Sequence, residues 1–358
     1  MKQTICLLFA LLAMQYVSYP QKQTKSQIDS LFRRIYEVRA MAAAENSDVF
    51  STAAVAAFDS NSSFDFSGIN GLNYYRFDKR FILLNWGVPE EDGTVSYRGL
   101  LWGWNSSQKN YRLQILNDVS SYQSFPEREI YTPENWWGAF YYDCIASNGG
   151  SSSTGGFYTF LGWNSSQPLY SQKVIETMRI KSSGEAEFGL PVFTSTSGAT
   201  LRKFNVDAAS TDYYAIERRT VKSRTPYAKS ALPSPLSENS DFTDNPETST
   251  DTKQKQIRRI VFKFSRKHDI ILRYDYQTYV DKSGSKSKQR KENMIIFDRV
   301  LPRDASLGGQ ASNYVPAGGI YDGFRPVGGK WELTLNIIAR NPTPKQPSKK
   351  PVRNKLQQ

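Results

Sequence analysis

The stretch IVFKFSRKHDIILRYDY, residues 260–276, decides the fold class. Ile260, Phe262 and Phe264 alternate with Val261, Lys263 and Ser265, and after a polar break Ile270, Leu272, Tyr274 and Tyr276 alternate with Ile271, Arg273 and Asp275. Successive side chains of a strand point to opposite faces, so this period of two predicts two strands joined tightly at residues 266–269. Residues 294–300 return after a basic loop, which predicts a three-strand antiparallel meander. An earlier hairpin is expected through residues 174–180, turning at Ser182, Ser183 and Gly184 and returning through 187–193. Similar aromatic and β-branched runs occupy residues 81–86, 97–104, 111–116, 139–146, 157–163 and 331–338. The predicted fold is mainly β, with antiparallel sheets in a sandwich-like or propeller-like arrangement and a helical segment at the N-terminus.

That helical segment covers residues 24–60. Over residues 26–44 Ile28, Leu31, Phe32, Ile35 and Tyr36 recur at helical spacing, which predicts one helix with Ser26 and Asp29 placed as a capping box, and a second helix is expected through 49–58. The β-rich region runs over 70–341. It contains a Ser/Thr/Pro-rich insertion at 225–252, whose composition predicts disorder, and it is followed by a basic, disordered tail at 342–358.

Residues 1–20 read as a cleavable signal peptide. Lys2 precedes the ten-residue apolar run ICLLFALLAM at 5–14, too short for a bilayer-spanning helix, which needs about 20 residues. Export to the periplasm or cell surface follows, with no transmembrane segment after cleavage. Removing the signal also removes Cys6 and leaves Cys144 alone, so no internal disulfide is expected.

The net charge of +12 is concentrated. Lys2 carries one excess charge, the segment 282–291 carries five (Lys282, Lys286, Lys288, Arg290, Lys291), and the tail carries five (Lys345, Lys349, Lys350, Arg353, Lys355), which leaves the rest at +1. A basic loop and tail are ordinarily solvated, but Lys286, Lys288, Arg290, Lys291, Lys349 and Lys350 are the residues that would contact an anionic envelope surface. Export and the lack of a recognisable nucleic-acid motif argue against a nucleic-acid partner.

Histidine-based chemistry is poorly supplied, because His268 is the single histidine and falls at the 266–269 turn. Neither a metal site nor a cofactor is expected. Asp298, Asp304 and Asp322 are the carboxylates that a polysaccharide hydrolase would need, although turn chemistry accounts for each position. Tryptophan is the more suggestive residue type. Trp102, Trp104, Trp136, Trp137 and Trp163 cluster in sequence; most such indoles fill a sheet core, but an exposed row could stack on sugars or face a partner. Trp104 and Trp163 share a repeat, GWNSSQ, at 103–108 and 162–167, with Tyr111, Ile115 and Leu116 matching Tyr170, Val174 and Ile175 at the same offset. The NSS triplets at Asn61, Asn105 and Asn164 read as turns.

Three blocks resemble a family of uncharacterised exported proteins of the Bacteroidota. They are residues 77–101 with their N-W-x-x-P turn and D-G pair; residues 136–145 (WWGAFYYDCI) with 158–193, containing LGW and FGLPVF; and residues 260–341, with MIIFDRVLP, YDGF and GKWELTLNIIARN. No activity is established for that family, so the resemblance implies export and a β-rich fold and transfers no catalytic residue. The functional expectation is a non-catalytic envelope protein that binds a partner protein, a glycan or an anionic surface, with a carboxylate-dependent polysaccharide hydrolase as the alternative.

Overall fold

A computed structural model describes residues 23–123, 126–147, 156–195, 256–281, 288–307 and 310–338. The expected signal peptide at 1–20, the insertion at 225–252 expected to be disordered, Lys286 and the tail with Lys349 and Lys350 lie outside the described residues. Two helices open the chain, α1 (Lys25–Glu37) and α2 (Ala40–Ser60). Thr24 caps α1: its hydroxyl accepts from the Gln27 amide while the Gln27 side chain accepts from the Thr24 amide, so the box sits two residues before the Ser26–Asp29 pair expected for it.

Strands β1 (Asn73–Phe77), β2 (Phe81–Pro89), β3 (Val95–Asn105) and β4 (Asn110–Asn117) form a first antiparallel sheet in chain order. The second sheet has the order β10 (Ile260–Ser265), β7 (Tyr170–Ile180), β6 (Tyr158–Asn164), β5 (Phe140–Ala146), and the short β8 (Ala186–Phe188) also pairs with β7. The third contains β11 (Leu272–Asp281), β12 (Lys288–Pro302), β13 (Tyr314–Val327) and β14 (Lys330–Ile337), with β9 (Phe193–Thr194) parallel to β14.

These elements stack in layers. Ile82, Leu84, Trp86, Val88, Leu100 and Trp102 face the helices, packing with Phe32, Phe50 and Phe58. The other face of the same sheet, with Phe81, Leu83, Tyr97 and Leu101, packs on Tyr141, Phe160, Val174 and Val261 of the second sheet. Leu161, Ile175, Ile260, Phe262 and Phe264 then turn from the second sheet to Ile295, Phe297, Phe324 and Leu333 of the third. A sheet covered on both faces reads as a continuous apolar run, which is why residues 81–88 of β2 are all buried. The expectation of a mainly β fold with antiparallel sheets and a helical N-terminus is correct, and the described residues close no barrel.

The expected meander is not. β10 pairs with β7, with Ile260 opposite Ile175 and Phe264 opposite Ser171, whereas β11 pairs along its length with β12. Residues 266–271 therefore cross from the second sheet to the third instead of closing a hairpin. Alternation shows which side chains share a face, but it does not select a partner strand, and burial of Val261 on the opposite face from Ile260 placed β10 within the middle layer. The 174–180 hairpin does form, through β7 and β8.

Polar groups stitch the layers. Asn85 is buried between the first two sheets, donating from Nδ2 to Ala139 O (2.9 Å) and accepting the Tyr141 amide at Oδ1 (2.7 Å). Glu176 and Arg259 form a fully buried ion pair; the guanidinium also donates to Pro126 O and lies 4.5 Å from the Tyr131 ring centroid and 5.7 Å from that of Trp137. The third sheet curls until Thr278 of β11 bridges Ile338, enclosing Met294, Ile296 and Ile337 on its concave side.

Two stability predictions follow from this packing. Glu176→Gln leaves a buried guanidinium without its counter-charge and should cost about 3–5 kcal/mol in urea denaturation; a loss below ~1 kcal/mol would show that the pair is not buried in solution. At Gly103 a Cβ would fall 1.8 Å from the Gly184 carbonyl oxygen, a backbone atom that cannot rotate away. Gly103→Ala should therefore lower stability by about 1–3 kcal/mol or more, with a matching drop in Tm.

Candidate functional site

An open cleft of about 380 Å³ lies where the second and third sheets diverge, lined by Tyr142, Trp163, Ser171, Lys173, Phe264, Arg266, His268 and Asp269. Its floor is the end of the second sheet: Trp163 on β6 stands opposite Lys173 on β7, and Ser171 stands opposite Phe264 on β10. These positions share the face that packs on the third sheet further along, through Leu161, Ile175 and Ile260. The crossing segment 266–271 forms the lip.

The lip is held from both sides. The Lys173 ammonium donates to the Ile270 carbonyl and pairs with Asp269 at 2.8 Å, its own side chain only 11% exposed while that of Asp269 is 79% exposed. Arg266 donates to Pro168 O (3.1 Å), Gly93 O (3.1 Å) and Ser165 Oγ (2.9 Å), tying the lip to two neighbouring loops. Tyr142 lies at a bulge in β5 and donates its hydroxyl to Leu272 O at 2.8 Å, and burial pushes its phenol well above the usual value. The His268 amide closes the turn onto Ser265 O, and its exposed imidazole makes no hydrogen bond among the described residues. Such a surface offers an aromatic platform beside prepositioned donors and acceptors.

The proposed tryptophan row is not a row. Trp102, Trp136 and Trp137 are buried, Trp102 beneath Phe58 and Trp136 donating its indole N–H to Tyr141 Oη at 2.9 Å, so these three are unavailable to a ligand. Trp136 and Trp137 follow a 3-10 turn at Pro133–Asn135 and lie outside any strand. Trp104 and Trp163 remain half-buried; Trp104 packs on Tyr111 outside the cleft, and Trp163 lies within it.

The two repeats also diverge in register. Trp104 pairs with Tyr111, but Trp163 pairs with Lys173, three residues beyond the matching Tyr170. Asn105 caps its turn by accepting from Ser107 and Gln108, and Asn61 does the same for Ser63. Asn164 is buried, donating to Gly138 O and accepting from Ser166 and Gln172.

None of the three aspartates lines this cleft, although Asp298 lies near enough to interact by charge with Lys173 and Asp269. Asp298 accepts the Ile271 amide at 2.6 Å, and burial raises its carboxyl pKa. Asp322 is buried under a two-pronged contact from Arg299 (2.9 and 2.6 Å) and accepts the Asn336 amide. Asp304 caps a turn through the Ser306 hydroxyl and amide, which lower its pKa. Each is committed to holding the backbone. Cys144 packs between the first and second sheets, so the middle sheet separates it from His268. No group of three or more His, Cys, Asp or Glu side chains that could hold a metal occurs among the described residues.

Of the basic residues, Lys288, Arg290 and Lys291 begin β12 instead of lying in a loop, and all three are exposed. Alternation places Lys288 and Arg290 on one face of the strand and Lys291 on the other.

Comparison with protein-family models, curated proteins and solved structures gave no match. The site is therefore read from its own chemistry. All seven tryptophans are described, and only Trp104 and Trp163 are not buried. Fluorescence of a W104F/W163F double variant should be almost insensitive to acrylamide, whereas the parent retains a quenchable fraction; equal quenching in both would contradict the burial of the other five.

Proposed function

We propose that this chain is an exported envelope protein that binds a glycan without turning it over, in the cleft headed by Trp163. The observation that carries the reading is the half-buried indole beside an already bonded Lys173–Asp269 pair. A sugar ring needs an apolar face to stack on and fixed donors and acceptors for its hydroxyls, and this cleft supplies both without rearrangement. Its volume falls within the roughly 300–1,000 Å³ range of ligand clefts. Lys173 retains a third ammonium hydrogen, Asp269 an exposed carboxylate oxygen, and Ser171 a hydroxyl. Export rests on the signal-like residues 1–20, and the resemblance to exported Bacteroidota proteins agrees with a periplasmic or surface location. The three aspartates, each taken up by backbone or Arg299, give the hydrolase alternative no acid–base pair.

Affinity electrophoresis through gels containing individual polysaccharides tests the proposal. The parent protein should be retarded by at least one glycan, W163A should migrate as in a glycan-free gel, and W104A should keep the retardation. Loss of a stacked aromatic corresponds to about 0.5–1.5 kcal/mol beyond area burial, enough to abolish retardation by a weak ligand. Retardation of W163A equal to that of the parent would reject the site, and absence of retardation by every glycan would favour a protein partner.

A further inference from the structure

We infer that the bound sugar is acidic, a pyranose ring carrying a carboxylate or sulfate, with the ring on Trp163 and the anionic group directed to Arg266. This rests on the glycan reading of the same cleft and adds its ligand class.

The cations around the cleft are not equivalent. Lys173 is neutralised by Asp269. Arg266 makes no ion pair among the described residues; its three hydrogen bonds all go to neutral acceptors, two carbonyls and a serine hydroxyl. Those bonds hold the guanidinium in place and leave its Nε–H and one Nη1 hydrogen without an acceptor among the described residues. The acid on the adjoining loop, Asp92, accepts from the Thr94 amide and hydroxyl (2.9 and 2.6 Å) and attracts Arg266 through charge without forming an ion pair with it. Lys267 and His268 follow Arg266 on the same exposed lip, and among the described residues Asp269 is the only carboxylate lining the cleft. The cleft thus holds one guanidinium that has no direct ion-pair partner among the described residues and is fixed by neutral groups, while the aromatic platform sits on the neighbouring strands. A neutral sugar uses the platform and leaves that charge unanswered. An acidic sugar uses both, through charge-assisted hydrogen bonds that are about twice as strong as neutral ones.

The test is isothermal titration of the full chain with an oligogalacturonide, its carboxyl-reduced neutral counterpart and a sulfated galactan oligosaccharide, at low and high salt. The expected result is about tenfold tighter binding of a charged ligand than of the neutral one, equivalent to ~1.4 kcal/mol. That preference should shrink as salt rises, and it should fall towards parity in R266Q. Whichever charged ligand is preferred identifies the anion as carboxylate or sulfate. Equal affinity of the parent protein for charged and neutral ligands would overturn the acidic assignment and leave the glycan reading standing. Binding of none of the three would count against the glycan reading itself. A preference that persists in R266Q would also overturn the assignment, because the anion would then lie elsewhere. The parent's charged-to-neutral ratio decides the question even if R266Q is unstable.

Discussion

The Glu176–Arg259 pair is the constraint around which the layers are arranged. Neither charge reaches water, so each is tolerable only while the other is in place. Arg259 immediately precedes β10 and Glu176 lies in the middle of β7, so the pair fixes the edge strand of the second sheet against its neighbour after a long excursion of the chain. The same guanidinium reaches the Pro126 carbonyl and the rings of Tyr131 and Trp137, which brings the segment between the first two sheets under its control. Burial alone pushes the Glu176 carboxyl pKa upward, and the adjacent guanidinium opposes that rise.

The cleft is a consequence of this placement. With β10 committed to the second sheet, the chain must cross to the third before β11 can begin, and the crossing leaves an open corner instead of a closed hairpin. Apolar residues fill the inter-sheet space further in, at Leu161, Ile175 and Ile260, but towards the corner the same face carries Trp163, Lys173 and Ser171. Tyr142 and Lys173 bond the carbonyls of Leu272 and Ile270, so the corner is rigidly framed from the middle sheet. A preformed site of this kind loses little ordering entropy on binding.

Much of the fold was legible from the chain. The positions of β2, β3, β4, β6, β7 and β14 follow from runs of apolar and aromatic residues, and α1 follows from a spacing of three and four, whereas the break at 38–39 that starts α2 at Ala40, within the helix expected over 26–44, was not read. β13 was missed because Gly318, Gly319, Gly323 and Pro316 weaken its pattern, although Gly323 is required where a Cβ would meet the Ile295 carbonyl at 2.4 Å. Of the site, Trp163 was legible as one of five tryptophans. Lys173, Arg266 and Asp269 were not, since a lysine at the start of a strand and a polar RKHD turn resemble ordinary surface chemistry. One signal was available: Lys173 occupies the inward face of its strand, in phase with Ile175, where a charge needs a partner.

The sequence by itself determined much of the secondary structure and the two-faced alternation within each strand, because these depend on neighbours a few residues apart. Only the tertiary structure decided which strands pair, which tryptophans are covered and which polar groups meet in the corner. Periodicity assigns a side chain to a face, and the partner on that face comes from elsewhere in the chain. Trp136 and Trp163 look equally available in one dimension. One is sealed between two sheets, and the other stands where two sheets part.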